Sequence, residues 1–180
     1  MINVYYQNVR GLNTKLSEFY INMNLATYDI VILTETWLTP LITDSMLFPS
    51  DYTIFRKDRL VKKGGGILIA LKNHIKAIEI IPTKTKIECL WLLINDGKGT
   101  NLYIGNNYLP PTLDSQITIN YFEDVMEYFS NTNSKILWTG DFNLPDLKWP
   151  YIISKNDINN ITNKNKTIGI NGVFKFDPGK

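Results

Sequence analysis

The sequence has one cysteine, Cys89, and one histidine, His74. A single cysteine excludes an internal disulfide, and so few soft ligands exclude a cysteine- or histidine-rich zinc site. Cys89 lies in the apolar run ECLWLLI, where a buried, inert thiol is expected. No apolar run approaches the ~20 residues that a membrane-spanning helix needs. The opening MINVYYQNVRG lacks a charged stretch followed by an apolar one, so no secretory signal is expected. A reducing, intracellular setting fits these absences. An excess of charge is missing too. The 19 basic and 17 acidic residues leave +2, so any surface for a polyanion must be local.

What is present is an ordinary globular composition, 44% hydrophobic and 20% charged over 180 residues. One domain of this size buries roughly 70% of the surface its unfolded chain exposes. Ile2, Val4 and Tyr6 alternate as one face of a strand, with Asn8 continuing that face and Gly11 breaking it. Asn13 or Thr14 can cap a helix carrying Leu16, Phe19, Tyr20 and Met23. The run IVIL after Asp29 reads as a strand covered on both faces and stops at Thr34-Glu35-Thr36. Residues 39–51, with Pro40 and Pro49, read as a loop. Strands follow at YTIF, at ILIAL after Gly64-Gly65-Gly66, and at 77–81, 87–94 and 102–106, the last running on to Asn107 and Tyr108. A helix over 117–129 is expected to turn Tyr121, Phe122, Val125, Met126 and Phe129 inward. The strand KILW then leads into TGDFN. Many strands and two helices in mixed order predict an α/β class, a layered sandwich of mixed β-sheets flanked by helices. Residues 151–180, rich in Asn, Lys and Ile without periodicity, read as an irregular or diverged tail.

Four apolar strands stop on polar residues: Asn8, Glu35, Asn107-Tyr108, and Asp141 with Asn143. Side by side in one fold, such ends can converge, as sites on rigid scaffolds do. A carboxylate with carboxamides makes an oxygen-rich pocket suited to Mg²⁺, which keeps waters and binds through one or two carboxylates plus substrate phosphate. Each signal also has a plain reading. Asn and Asp after a strand are common turn residues, Glu35 can be a solvated loop residue, and Tyr108 beside Pro110-Pro111 can simply fill a strand edge.

The segments QNVRGL, DIVILTETWL, GGGILIALK, YIGNNYLPP and ILWTGDFN, in this order, resemble the endonuclease/exonuclease/phosphatase superfamily. NVRGL, LTETWL and the glycines before a strand are most similar to the endonuclease domain of non-LTR retrotransposons. The resemblance covers about residues 2–149, a domain of 1–150, and implies a deoxyribonuclease-like fold. It implies metal ligation by Glu35 with Asn8, a phosphate contact from Tyr108, activation of water by Asp141 and phosphate positioning by Asn143. The cofactor implied is Mg²⁺, with Mn²⁺ as the alternative. The activity implied is nicking of one DNA strand to prime a reverse transcriptase domain of the same polyprotein, in the nucleus. Two other functions stay open: a phosphodiesterase of the superfamily on a non-DNA phosphate, and a non-catalytic nucleic-acid-binding remnant.

The family closes its site with a Ser-Asp-His triplet after the GDFN motif. This sequence has only His74, before that motif, and the tail NGVFKFDPGK offers Asp177 alone. The expectation is therefore a chain truncated or diverged after Trp149, with open sheet edges and weak or absent nicking, His74 being an exposed turn residue. For DNA contact, the densest basic stretch holds Arg56, Lys57, Arg59, Lys62 and Lys63, and Arg10 follows Asn8-Val9. A solvated loop explains the basic stretch equally well. Trp37 and Trp149 read as packing residues before they read as base-stacking ones.

Overall fold

The computed structural model describes residues 2–59, 64–95, 101–130, 134–144 and 174–176, the last three by backbone alone. The elements are β1 (Val4–Asn8), α1 (Leu16–Leu25), β2 (Ile30–Thr34), a short 3₁₀ turn (Asp44–Met46), β3 (Tyr52–Lys57), β4 (Ile67–Lys72), β5 (Ala77–Ile80), β6 (Glu88–Asn95), β7 (Asn101–Tyr108), α2 (Ser115–Ser130), β8 (Lys135–Asp141) and β9 (Phe174–Phe176).

They form two mixed sheets, ordered β1-β2-β4-β3 and β5-β6-β7-β8-β9. Each sheet holds one parallel pair, β1 with β2 and β7 with β8, and is otherwise antiparallel. The alternation of side chains sorts the core into three layers. Ile30 and Ile32 of β2 and Ile67 and Ile69 of β4 meet Leu90, Leu92 and Ile104 of β6 and β7 between the sheets. Val31, Leu33, Leu68 and Ala70 point the other way, under Phe19 and Met23 of α1. On the far side, Trp91, Tyr103 and Ile136 lie under Tyr121, Val125 and Phe129 of α2. The result is a four-layer sandwich, helix on sheet on sheet on helix, as expected. All five residues of β2 are buried, which is why IVIL reads as continuously apolar.

Three details differ from the sequence reading. Neither Asn13 nor Thr14 caps α1. The cap position is Lys15, without a side-chain bond, and the Asn13 amide donates instead to the Trp37 carbonyl at 3.2 Å. Met126 is 45% exposed. The stripe that α2 buries runs through Thr118, Tyr121, Val125 and Phe129 at spacings of three and four, which leaves Met126 on its flank. Within the stretch read as an irregular tail, the Phe174–Phe176 backbone pairs with β8 from Ile136 to Trp138 and adds a strand to the second sheet. The rest of that tail, including Asp177, lies outside the described residues, as does Trp149 before it.

Candidate active site

In each sheet the parallel pair runs toward the same end of the sandwich, so four strand C-termini meet there. Asn8 is paired in register with Thr34, and Tyr108 with Asp141. A side-chain bond closes the gap between the sheets: Asn8 Nδ2 donates to Asp141 Oδ2 at 2.7 Å. The Asn8 Oδ1 accepts the backbone N–H of Arg10 at 3.1 Å, so both ends of the carboxamide are engaged and its orientation is set.

Glu35 reaches this point through a break in strand geometry. Strict alternation after Thr34 would send its side chain to the α1 face. Its φ of +54° breaks the alternation, although the pairing with the β1 segment continues through Gly11 N–H to Glu35 O at 2.7 Å. The carboxylate instead lies near enough to the Tyr108 hydroxyl to raise it. Arg10 and Asn143 also sit at φ +46°, a conformation that is uncommon for residues other than glycine and gathers at functional sites. Asn143 follows β8, exposed, with Nδ2 donating to the Leu109 carbonyl at 2.8 Å.

The glycine of TGDFN has a packing reason. Gly140 has φ +150°, and a Cβ there would fall inside the Asn107 backbone of the neighbouring strand. That close approach, together with Asn107 Nδ2 on the Thr139 carbonyl at 3.1 Å, holds β7 and β8 tightly where Tyr108 and Asp141 emerge. Asn107 Oδ1 accepts from the buried Tyr121 hydroxyl, tying the same point to α2.

Two phenols report on the electrostatics. The Tyr108 hydroxyl is pushed up to about 12, by burial first and then by the neighbouring Glu35 carboxylate, with a smaller push from Asp141 and an opposing pull from Arg59. The Tyr6 hydroxyl is raised by burial, against its bond to Thr34 Oγ1 at 3.1 Å, and further raised by Asp141 and Glu35. Both phenols thus lie within electrostatic reach of both carboxylates.

The donor set is two carboxylates and two carboxamides. Among the described residues no three of His, Cys, Asp and Glu gather around one point. Oxygen donors without thiolate or imidazole fit a hard cation such as Mg²⁺. Glu35, with Asn8 beside it, is the group that could hold one. His74 is elsewhere: its ring is 70% exposed and lies 3.9 Å from Asp29, which precedes the opposite end of β2.

The basic residues divide. Arg10 is exposed beside Asn8. Arg56 is turned inward, 16% exposed, pairing with Asp44 and Asp58 and donating to the Ile42 carbonyl at 2.7 Å. Lys57 pairs with Glu79 at 3.0 Å and donates to the Cys89 carbonyl. Arg59 pairs with Glu88 and lies over the Tyr108 ring. Lys62 and Lys63 lie outside the described residues. Trp37 is half-buried, and Cys89 is half-buried with its thiol pushed up by burial.

Sequence reading gave no role to Tyr6 or Asn106. Tyr6 had a signal, two residues before Asn8 on the same strand face. Asn106 had none. It is fully buried between the sheets, its Nδ2 donating to the Leu33 carbonyl at 2.8 Å and the Leu68 carbonyl at 3.1 Å, a long-range pairing that no local pattern carries.

A profile of the Endonuclease/Exonuclease/phosphatase family matches residues 2–172. The chain belongs to this family. The match extends past the 2–149 stretch that holds the quoted motifs. Among curated proteins no sequence match is found. Solved structures of like fold include the endonuclease domain of TRAS1, a telomere-specific non-LTR retrotransposon, at 11% identity and TM-score 0.57, covering 77% of this chain and 58% of that one. An AP endonuclease from Leishmania major is similar at 16% identity and TM-score 0.57, covering 83% and 59%. The human Nocturnin catalytic domain with bound sulfate aligns at 16% identity and TM-score 0.56, covering 79% and 64%. At these identities the likeness is one of fold, and the chain spans less than two thirds of each of these structures. Among the described residues no helix is long and apolar enough to cross a membrane.

Proposed function

We propose that this chain carries the phosphodiester-cleaving site of a DNA-nicking endonuclease of the non-LTR retrotransposon kind. In this reading Glu35 and Asn8 are the metal-side residues, and Tyr108, Asp141 and Asn143 surround the scissile phosphate. The observation that carries it is the bond from Asn8 of the first sheet to Asp141 of the second, in register with Tyr108. Bound Mg²⁺, or Mn²⁺ on the same oxygen donors, would polarise the phosphoryl group and offset charge on the leaving oxygen. Membership of a nuclease and phosphatase family and the fold likeness to the TRAS1 endonuclease domain support a nucleic-acid phosphodiester as substrate. A reverse transcriptase domain in the same polyprotein and action in the nucleus complete the proposal and rest on the motif resemblance alone.

The chain's own residues divide the work. Asn8 fixes Asp141, which orients that carboxylate to take a proton from an attacking water. Tyr108, its hydroxyl held protonated far above neutral pH, is a hydrogen-bond donor throughout the working range. Asn143, anchored on Leu109, presents its carboxamide beside them. Arg10 supplies a cation for the DNA backbone next to Asn8. With Arg56 and Lys57 engaged in ion pairs, Arg10 is the stronger of these contacts. His74 being remote, no imidazole of the described residues serves as acid or base. The absence of one such group lowers a rate by about 10²–10⁴, so nicking by this chain is slow.

Plasmid relaxation tests this reading. Slow, Mg²⁺-dependent appearance of nicked circles, absent in Glu35→Ala and Asp141→Asn, is the expected result. Calorimetric titration with Mg²⁺ is expected to show binding that Glu35→Ala removes. Nicking that survives both substitutions, or Mg²⁺ binding indifferent to Glu35, overturns it.

A further inference from the structure

The three glycines at 64–66 sit at φ +91°, +70° and +84°, and the turn they make is docked on the segment that carries Glu35. Thr36 N–H donates to the Gly66 carbonyl at 3.2 Å and Trp37 N–H to the Gly65 carbonyl at 3.0 Å. From the other side Glu88 grips the same turn, its Oε2 accepting the Gly66 N–H at 2.8 Å. The other oxygen of Glu88 takes Arg59, through Nε at 2.5 Å and through Nη2. The guanidinium fills the remaining space. A Cβ on Gly65 would stand 2.5 Å from the Arg59 Cζ, so no other residue leaves room for it. The far face of the guanidinium looks onto the Tyr108 ring, 5.7 Å from its centroid.

The family role proposed for Tyr108 does not account for this arrangement, and the basic stretch around Arg59 reads from sequence equally as a DNA contact and as a solvated loop. The geometry points elsewhere. A cation already paired with a carboxylate is a poor free partner for phosphate. A planar group fixed on one side by Glu88 and on another by Gly65 is well suited to restrain a ring. We propose that Arg59 is a positioning residue: seated in a socket made by Glu88 and the Gly64–Gly66 turn, it holds the Tyr108 ring in place at the active site. This rests on Tyr108 belonging to the active site.

The two roles predict opposite results. For a positioning role, Glu88→Gln releases Arg59 and lowers kcat about five- to tenfold without tightening DNA binding. For a phosphate contact, the same change frees a positive charge and strengthens binding. Arg59→Ala is expected to lower kcat by a similar factor, to leave the salt dependence of DNA binding unchanged, and to add nothing on a Tyr108→Phe background. Loss of a phosphate contact would instead raise KM and reduce the salt slope by about one. The readout free of turnover is NMR of the protein labelled in its tyrosine rings. The Tyr108 resonance, assigned by its loss in Tyr108→Phe, is expected to move in both Arg59→Ala and Glu88→Gln. Should Arg59→Ala fail to fold by circular dichroism, Glu88→Gln carries the test. A Tyr108 resonance unmoved in the folded variants overturns the proposal, as does tighter DNA binding by Glu88→Gln. If the wild-type protein does not nick DNA yet the resonance moves, the positioning role stands and the nuclease reading falls alone.

Discussion

The two sheets are built from different materials. The first is aliphatic at its centre: apart from Thr34 and Lys72 at their ends, β2 and β4 are Ile, Val, Leu and Ala, buried on one face by α1 and on the other by the second sheet, while Tyr5, Tyr6, Tyr52 and Phe55 stand on the outer strands β1 and β3. The second is aromatic on its outer face, where Trp91, Trp138, Phe129 and Tyr121 touch ring to ring. Among the described residues it also carries the roomier groove. A groove of about 830 Å³ runs between α2 and the end of β8, lined by Leu109, Pro110, Phe122, Met126 and Trp138. Yet each sheet ends its single parallel pair at the same point. The first contributes Asn8 and Glu35, the second Tyr108, Asp141 and Asn143. Unlike layers serve one site because side-chain bonds from Asn8 and Asn106 tie them across the seam, not because the layers are alike.

That comparison breaks first if the two carboxylates work independently. Glu35→Ala in the first sheet and Asp141→Asn in the second are each expected to cut the nicking rate about 10³-fold or more. Combined, they are expected to do little further harm, since groups acting as a unit are strongly non-additive. Rates from single and double variants form a double-mutant cycle. Full multiplicativity of the two losses would mean that the sheets do not share a reaction centre.

The seam itself gives a smaller and structural test. Asn106 of the second sheet donates to two carbonyls of the first, Leu33 on β2 and Leu68 on β4, in a fully buried setting. Asn106→Ala leaves those acceptors without that donor and is expected to cost about 1–3 kcal/mol, measured as a lower urea midpoint at unchanged m-value. A cost below about 0.5 kcal/mol, the range of ordinary surface changes, would show that apolar packing alone joins the sheets.

Most of the fold was legible because its elements announce themselves locally. IVIL and ILIAL are strands buried on both faces, and the stripe through Tyr121, Val125 and Phe129 is a helix on a sheet. The candidate site was legible for a less general reason: each of its residues ends an apolar run, so Asn8, Glu35, Tyr108 and Asp141 stand out as polar stops. What pairs with what was not legible. That Asn8 bonds Asp141, that Arg56 turns inward to Asp44, and that Glu88 seats Arg59 are contacts between residues well separated in the chain. The charge pattern RKDRLVKK reads as one basic surface, whereas Arg56, Lys57 and Arg59 each have a specific carboxylate partner. Met126 shows the limit of periodicity. Helical spacing places it near an apolar stripe, but the width of the stripe depends on what lies across from it.

The smallest expected effect concerns the hydroxyl on which both sheets converge. An unfolded tyrosine titrates near 10, and Tyr108 in the folded chain is pushed up to about 12. Between those values the folded state holds the proton that the unfolded state releases. The contribution of Tyr108 to stability is therefore fully present below about pH 10 and is lost as pH rises through about 12. Tyr6 and Tyr52 are raised as well and add their own alkaline slopes, so the comparison must be differential. Urea unfolding of the wild type and Tyr108→Phe is expected to show a stability difference that is constant from pH 7 to about 9.5 and drifts in favour of the phenylalanine variant above it. In Glu35→Gln the carboxylate charge that helps hold the phenol protonated is gone, and the drift is expected to weaken. An equal drift with and without the Glu35 charge would mean that burial in the second sheet sets the Tyr108 proton by itself, with no part played by the first.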